Sequence, residues 1–288
     1  MKPEHIKSKI FLDSGDPHET REILSLLGFL DGQTTNPSLV AKNPDIQKEI
    51  AESGHKLTEA RVYEDYKNIV REISSLVPQG SVSIEVYGDH NTTAEAMFEQ
   101  GKDMFTWIPN AHVKYPIVKA GLEAAEKSIA AGMRVNMTLC FTEEQGAAVY
   151  AATRGAKKGD VFVSPFVGRF DDRGENGMSF IANMVQMYKG GDGHTEIISA
   201  SVRTFEHFMC SLAVGADIIT APHKVLKEWG EKGMPLPGAD YVYNKGELRD
   251  IPYVEVDLNK NWQDYNYQHE LTDKGIERFA TDWNGLFK

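Results

Sequence analysis

The chain has 288 residues, 41% of them hydrophobic and 25% charged, with a formal net charge of −11. That composition is globular rather than disordered, and an acidic chain without a Lys/Arg-rich block is a poor partner for nucleic acid or an anionic membrane. No apolar run reaches the length of a membrane span, "MKPEHIKSKIFLDSG" lacks the apolar core of a signal peptide, and the two cysteines, Cys140 and Cys210, make no disulfide framework, so a reducing cytoplasm is expected.

In chain order, the first strand is expected at "KIFLDS" (9–14), where Asp13 falls opposite Leu12. "FLDGQTTN" (29–36) comes next, with Thr34 and Asn36 matched in parity. The helix-like stretches "NPDIQKEIAES" and "RVYEDYKNIVREISSLV" lead to "SVSIEVYG" (81–88), in which Glu85 opposes Ile84 and Val86. "AHVKYPIV" (111–118) holds Lys114 inside an otherwise apolar extended run. After "KAGLEAAEKSIAAG" comes "MRVNMTLC" (133–140), with Val135, Met137 and Leu139 on one face and Asn136, Thr138 and Cys140 on the other. "TEEQGAAVYAATRG" then precedes "DVFVSPFV" (160–167), "TEIISASV" (195–202) and "GADIITAP" (215–222); in "TEIISASVR", Ser199, Ser201 and Arg203 line up together.

Strand then helix, eight times over, reads as a parallel sheet. Eight units in this length favour a closed α/β barrel, the (β/α)8 or TIM barrel, over a doubly wound open sheet. The open sheet would carry a glycine-rich phosphate turn after its first strand, which "DSGDPHE" does not resemble. No linker divides the chain, so residues 1–288 are expected to form one barrel domain. Residues 231–266 contain Pro, Gly, Tyr and Trp without a helical period and read as an irregular insertion. A C-terminal helix follows at 271–287, with Thr272 or Asp273 as its N-cap. Its stripe of Ile276, Phe279, Trp283 and Leu286 fits either core packing or a subunit contact.

One strand parity points into a barrel's lumen, and active sites of such barrels sit at the C-terminal ends of the strands. A lone Asn or Ser there is ordinarily a satisfied hydrogen-bonder. A convergent set of ionisable groups is costly unless the groups are paired or functional. Lys114 alone leaves two readings open: a lysine that snorkels or pairs with a carboxylate, or a desolvated amine that attacks a ketone to form a Schiff base. The polar residues around it favour the second. The nine histidines show no HExxH or comparable spacing, so neither a metal nor a cofactor is expected. His18 and His55 read as surface residues, Cys140 as a packing residue of lumen parity, and Met184 and Met187 as a buried helix face.

The segments "FLDSG", "TTNPSLVAKN", "HVKYP", "NMTLCFTEEQ", "SPFVGRFDD" and "SASVRT" follow one another as they do in the transaldolase family, and "ELTDKGIERFATDW" is similar to the tail of its smaller members. The resemblance covers nearly the whole chain except about 231–266. It implies a metal-free class I enzyme that moves a dihydroxyacetone unit between sugar phosphates in the pentose phosphate pathway. Lys114 would form the Schiff base and Asp13 would take the C4 hydroxyl proton. Glu85 and Thr138 would hold a catalytic water. Asn36, Asn136 and Ser164, with Thr34 close by, would bind the dihydroxyacetone unit, and Arg169, Arg203 and Ser201 the terminal phosphate. Fructose-6-phosphate aldolases in the family typically carry Gln in place of Glu85 and Tyr in place of Phe166, so Glu85 and Phe166 imply transfer rather than simple cleavage. Such an aldolase, or a transferase acting on another anionic ketose, is the alternative. A non-catalytic barrel is disfavoured by the full set Asp13, Glu85, Lys114, Asn136 and Thr138. The resemblance also implies a homo-oligomer assembled through the C-terminal helix. One departure stands beside the insertion: the family usually has Thr or Ser, then a Trp- or Glu-containing step, where this chain has Val118, Lys119 and Ala120.

Overall fold

Residues 2–287 are described by the computed structural model. Eight parallel strands close into a barrel in the order β1 (Lys9–Asp13), β2 (Gly32–Thr34), β3 (Ser81–Glu85), β4 (Ala111–Pro116), β5 (Val135–Cys140), β6 (Val161–Pro165), β8 (Thr195–Ser199) and β9 (Ile218–Ala221), which returns to β1. The two-residue strand β7 (Glu175–Asn176) stands outside and pairs with β10 (Arg249–Asp250). All eight expected strands are present, each within its expected segment or ending at its edge.

The outer layer comprises α1 (Pro17–Leu27), α2 (Pro37–Ala41), α3 (Pro44–Ser53), α4 (Glu59–Leu76), α5 (Ala94–Phe105) and α6 (Lys119–Ala130), then α7 (Glu143–Ala152), α8 (Val167–Asp171), α9 (Gly177–Tyr188), α10 (Phe205–Val214), α11 (His223–Glu231) and α12 (Glu270–Asn284). Most starts are written locally. Asp16, Asn36 and Asn43 each cap a helix whose first residue is proline, and Thr58, Thr93, Thr142 and Thr204 cap others through their side chains. Helix α6 is an exception: Val118 occupies its N-cap position with no side-chain bond. A Thr or Ser hydroxyl at this position would serve as a cap. Lys119 faces solvent beside Glu123.

Inside the barrel, Phe11, Phe162, Ile198, Ala200 and Ile218 form a small apolar core, while larger clusters fill the space between strands and helices. Met184 and Met187 are buried on α9, and His18 and His55 are exposed. The last helix differs from expectation at its start. Its N-cap is His269, which is extended and accepts the Leu271 N–H. Thr272 instead donates to the Leu139 carbonyl at 2.9 Å and accepts from Gln145 at 2.8 Å. The insertion runs across the outer helices. Arg154 holds the carbonyls of Leu258 and Lys260, and Trp262 is buried and reaches Glu126. No helix among the described residues is long and apolar enough to cross a membrane.

Candidate active site

Parallel pairing sets Glu85 beside Lys114 and Lys114 beside Asn136, so three polar side chains of β3, β4 and β5 share one inward layer. Lys114 is 4% exposed at its side chain. Its Nζ lies 3.0 Å from Glu85 Oε2 and 3.4 Å from the Thr35 carbonyl. Burial pushes the Glu85 carboxyl above its ordinary range, against the pull of Lys114. A second support comes from outside the barrel. Tyr66 of α4 is fully buried; its hydroxyl accepts the Glu85 backbone N–H at 2.9 Å and lies 2.6 Å from Thr35 Oγ1. Thr35 gives its own proton to the Ser83 carbonyl at 2.7 Å, so the tyrosine donates to the threonine. Two groups next to Lys114 are thus fixed by one phenol.

Asp13, at the end of β1, accepts from Thr34 Oγ1 at 2.6 Å. Thr34 also lies 2.6 Å from Thr220 Oγ1, and since its only proton is committed to Asp13, Thr220 donates to it. Burial raises the Asp13 carboxyl, with Lys114 and Thr34 pulling the other way. Asn136 is held at both ends of its amide, giving a proton to Ser83 at 3.0 Å and accepting one from Ser164 at 2.7 Å. Thr138 Oγ1 is buried without a hydrogen-bond partner among the described residues. Asn36 spends its side-chain oxygen on the N-cap of α2, accepting from Leu39 at 2.9 Å.

Above this layer lies a cavity of about 260 Å³ at the C-terminal ends of the strands. It is lined by nine of the expected residues: Asp13, Thr34, Asn36, Lys114, Ser164, Phe166, Arg169, Ser201 and Arg203. The other three do not line it: Glu85 joins through Lys114, Asn136 through Ser164, and Thr138 is the register partner of Ser164. Phe166 is half-buried, its ring edge-on to Phe141 at 6.0 Å. Arg203 makes a two-pronged pair with Asp172 at 2.6 and 2.8 Å. A larger cavity of about 590 Å³ opens at the opposite end of the barrel. There Lys9 and Glu196 neutralise each other at 3.0 Å, and none of the groups around Lys114 lines it.

Strand alternation misplaces the faces of two residues that are not among the expected site residues, Ser199 and Cys140. Ser199 faces outward and lies 2.8 Å from Ser211 of α10, because the inward residues of β8 are Ile198 and its neighbours of the same parity. Ser201 and Arg203 reach the mouth by another route: Ser201 has φ 55°, and its carbonyl is held by Gly168 N–H at 3.1 Å. At Leu139, φ is 62° and the pairing register shifts between Thr138 and Cys140. Cys140 therefore leaves the lumen face and packs in the outer core, where burial pushes its thiol up. Residues the sequence reading missed are Thr35, Tyr66, Ser83, Thr220 and Arg278. Thr220 had a signal, an isolated hydroxyl on the inward parity of an apolar strand. Tyr66 and Arg278 sit on helices whose charge patterns look ordinary.

A sequence model of the family described as Transaldolase/Fructose-6-phosphate aldolase matches residues 10–288. A "Probable transaldolase" of Dehalococcoides mccartyi is 35% identical over 280 residues, covering 97% of this chain and 100% of that protein. Proteins of the same description from Alkaliphilus metalliredigens (33% identical, 97% and 100% covered) and Roseiflexus castenholzii (34% identical, 96% of each covered) are similar over the same extent.

Proposed function

The chain belongs to the transaldolase/fructose-6-phosphate aldolase family, and from that premise we propose that it transfers a dihydroxyacetone unit from a ketose phosphate to an aldose phosphate through a Schiff base on Lys114. The observation that carries this reading is a buried lysine, 3.0 Å from Glu85, at the base of a cavity that also exposes Asp13, Arg169 and Arg203.

Lys114 gives a proton to Glu85, and the freed amine attacks C2 of the ketose. The carbinolamine loses its hydroxyl as water, with the proton returned from Glu85 through a water held between that carboxyl and Thr138. The Asp13 carboxylate takes the C4 hydroxyl proton. The C3–C4 bond breaks, its electron pair enters the iminium to give an enamine, and C4 departs as the aldehyde of an aldose phosphate. A second aldose accepts the enamine by the reverse steps. Ser164, locked in place by Asn136, presents a fixed hydroxyl to the three-carbon unit, and the arginines bind the phosphate. Phe166 at the mouth has no proton to give the enamine, whereas a phenol would promote release of free dihydroxyacetone.

The test is a paired assay with fructose 6-phosphate, with and without erythrose 4-phosphate, following glyceraldehyde 3-phosphate. Release only when the acceptor is present is expected. Equal release without it would mean aldol cleavage and refute the transfer reading. Borohydride should trap substrate on the wild-type chain and not on Lys114→Met; an adduct persisting in that variant would overturn the assignment of the lysine.

A further inference from the structure

Where β2 ends, the barrel ladder departs from its regular pattern. The Thr35 N–H donates to the Ser83 carbonyl at 3.1 Å, just beyond the Thr34–Ser83 register pair. In a regular parallel ladder the Glu85 N–H would come next and bond the Thr35 carbonyl. Here that N–H goes to the Tyr66 hydroxyl at 2.9 Å, and the Thr35 carbonyl accepts from Lys114 Nζ at 3.4 Å instead. We infer that Tyr66 is a positioning residue for the proposed Schiff-base step: it takes the strand bond that would occupy the Thr35 carbonyl, and so leaves that carbonyl to aim the Lys114 amine. The inference rests on reading Lys114 as the Schiff-base lysine.

Tyr66 can hold this place because its own surroundings are fixed. Its buried ring stands edge-on to Trp107 at 6.0 Å and tilted against Trp283 at 5.8 Å. Burial pushes the phenol well above its ordinary range, so it stays neutral and keeps the proton it gives to Thr35 Oγ1. That bond, with Thr35 Oγ1 donating onward to the Ser83 carbonyl, pins the residue whose carbonyl faces the lysine. The consequence falls on the amine. With Glu85 Oε2 at 3.0 Å on one side and the Thr35 carbonyl on another, Nζ is not free to turn about its last bond, and its remaining direction opens on the cavity that Lys114 lines. A nucleophile held in this way meets a ketose carbonyl without an orientational search. Without the phenol, the Glu85 N–H would revert to the Thr35 carbonyl, and the amine would lose that guide.

Tyr66→Phe removes the hydroxyl and keeps the ring. Val70→Ala, at a buried position of the same helix, is the control for lost stability alone. Both would be compared with the wild type for thermal midpoint and for kcat and KM with fructose 6-phosphate and erythrose 4-phosphate. A third measurement is the rate at which 2,4-pentanedione condenses with Lys114, losing water to give an enaminone located by mass spectrometry. In Tyr66→Phe, kcat and the condensation rate should each fall about tenfold with KM near the wild-type value, whereas Val70→Ala should melt lower and keep both rates. Thr35→Val should slow both in the same way and Thr35→Ser should recover them, which decides the matter if Tyr66→Phe does not fold. Wild-type rates in Tyr66→Phe, an equal loss in Val70→Ala, or no condensation at Lys114 in the wild type would overturn the inference. A wild type that condenses at Lys114 but turns over no ketose phosphate would refute the proposed function, and the condensation rates would still decide the role of Tyr66.

Discussion

Asp13 combines two demands that conflict. In the proposed reaction it must be a carboxylate to accept a proton, yet burial raises its pKa above the ordinary 3.8. A folded-state pKa above the unfolded one means that the native state holds the proton more tightly. The stabilising contribution is then complete below the unfolded pKa and lost as pH rises through the folded one, so at neutral pH the ionised group works against the fold. Asp13→Asn keeps an acceptor for Thr34 and removes the buried charge. It should melt higher than the wild type at about pH 7, with the gap closing towards about pH 4, and it should lose carbon–carbon cleavage. A midpoint at neutral pH below that of the wild type would contradict this account. Asp13, Glu85, Lys114 and Asn136 were legible because each breaks an apolar strand with a polar side chain of inward parity. Tyr66 was not, because a phenol on an amphipathic helix gives no sign that it reaches Thr35 and the Glu85 backbone beside Lys114.

Elements were legible wherever chemistry repeats locally. The eight strands follow from alternation, and most helix starts from a proline after Asp or Asn or from a capping threonine. Alternation fails where one residue turns left-handed. At Leu139 and Ser201 the positive φ costs about 1–3 kcal/mol, and neither Leu nor Ser announces it. Ser199 and Cys140 were placed on the lumen face for that reason. The same local logic makes a prediction at α6. Val118 is extended (φ −128°, ψ 170°) and offers no acceptor to the first turn. Val118→Thr should supply the cap, stabilising the protein by about 1 kcal/mol and raising the thermal midpoint. A lower midpoint in that variant would mean that the packing of Val118 outweighs the cap.

Across the whole molecule, α12 ties distant parts of the sequence together. Trp283 is 2% exposed, with its ring 5.3 Å from Tyr63 and 5.8 Å from Tyr66. Thr272 reaches the carbonyl of Leu139, and Phe287 pairs with Leu57. Trp283→Ala should cost about 3–5 kcal/mol by leaving a cavity against α4. Because Tyr66 also supports Glu85, the variant should lose turnover as well as stability; denaturant unfolding and kcat measured together would check the link. Retained kcat would mean that Tyr66 holds its place without the indole. None of this long-range closure could be read from the helical stripe alone, which fits core packing and a subunit contact equally well.

The docking of α12 against α2 and α4 also has a consequence in time. A ribosome releases the eight barrel strands before the segment that brings Arg278 to the mouth and Trp283 to the back of Tyr66. A nascent chain can therefore assemble most of its barrel while the cavity still lacks one wall, with the apolar bed for Trp283 open to solvent. Until α12 docks, that bed is uncovered apolar surface, the kind that favours aggregation during synthesis.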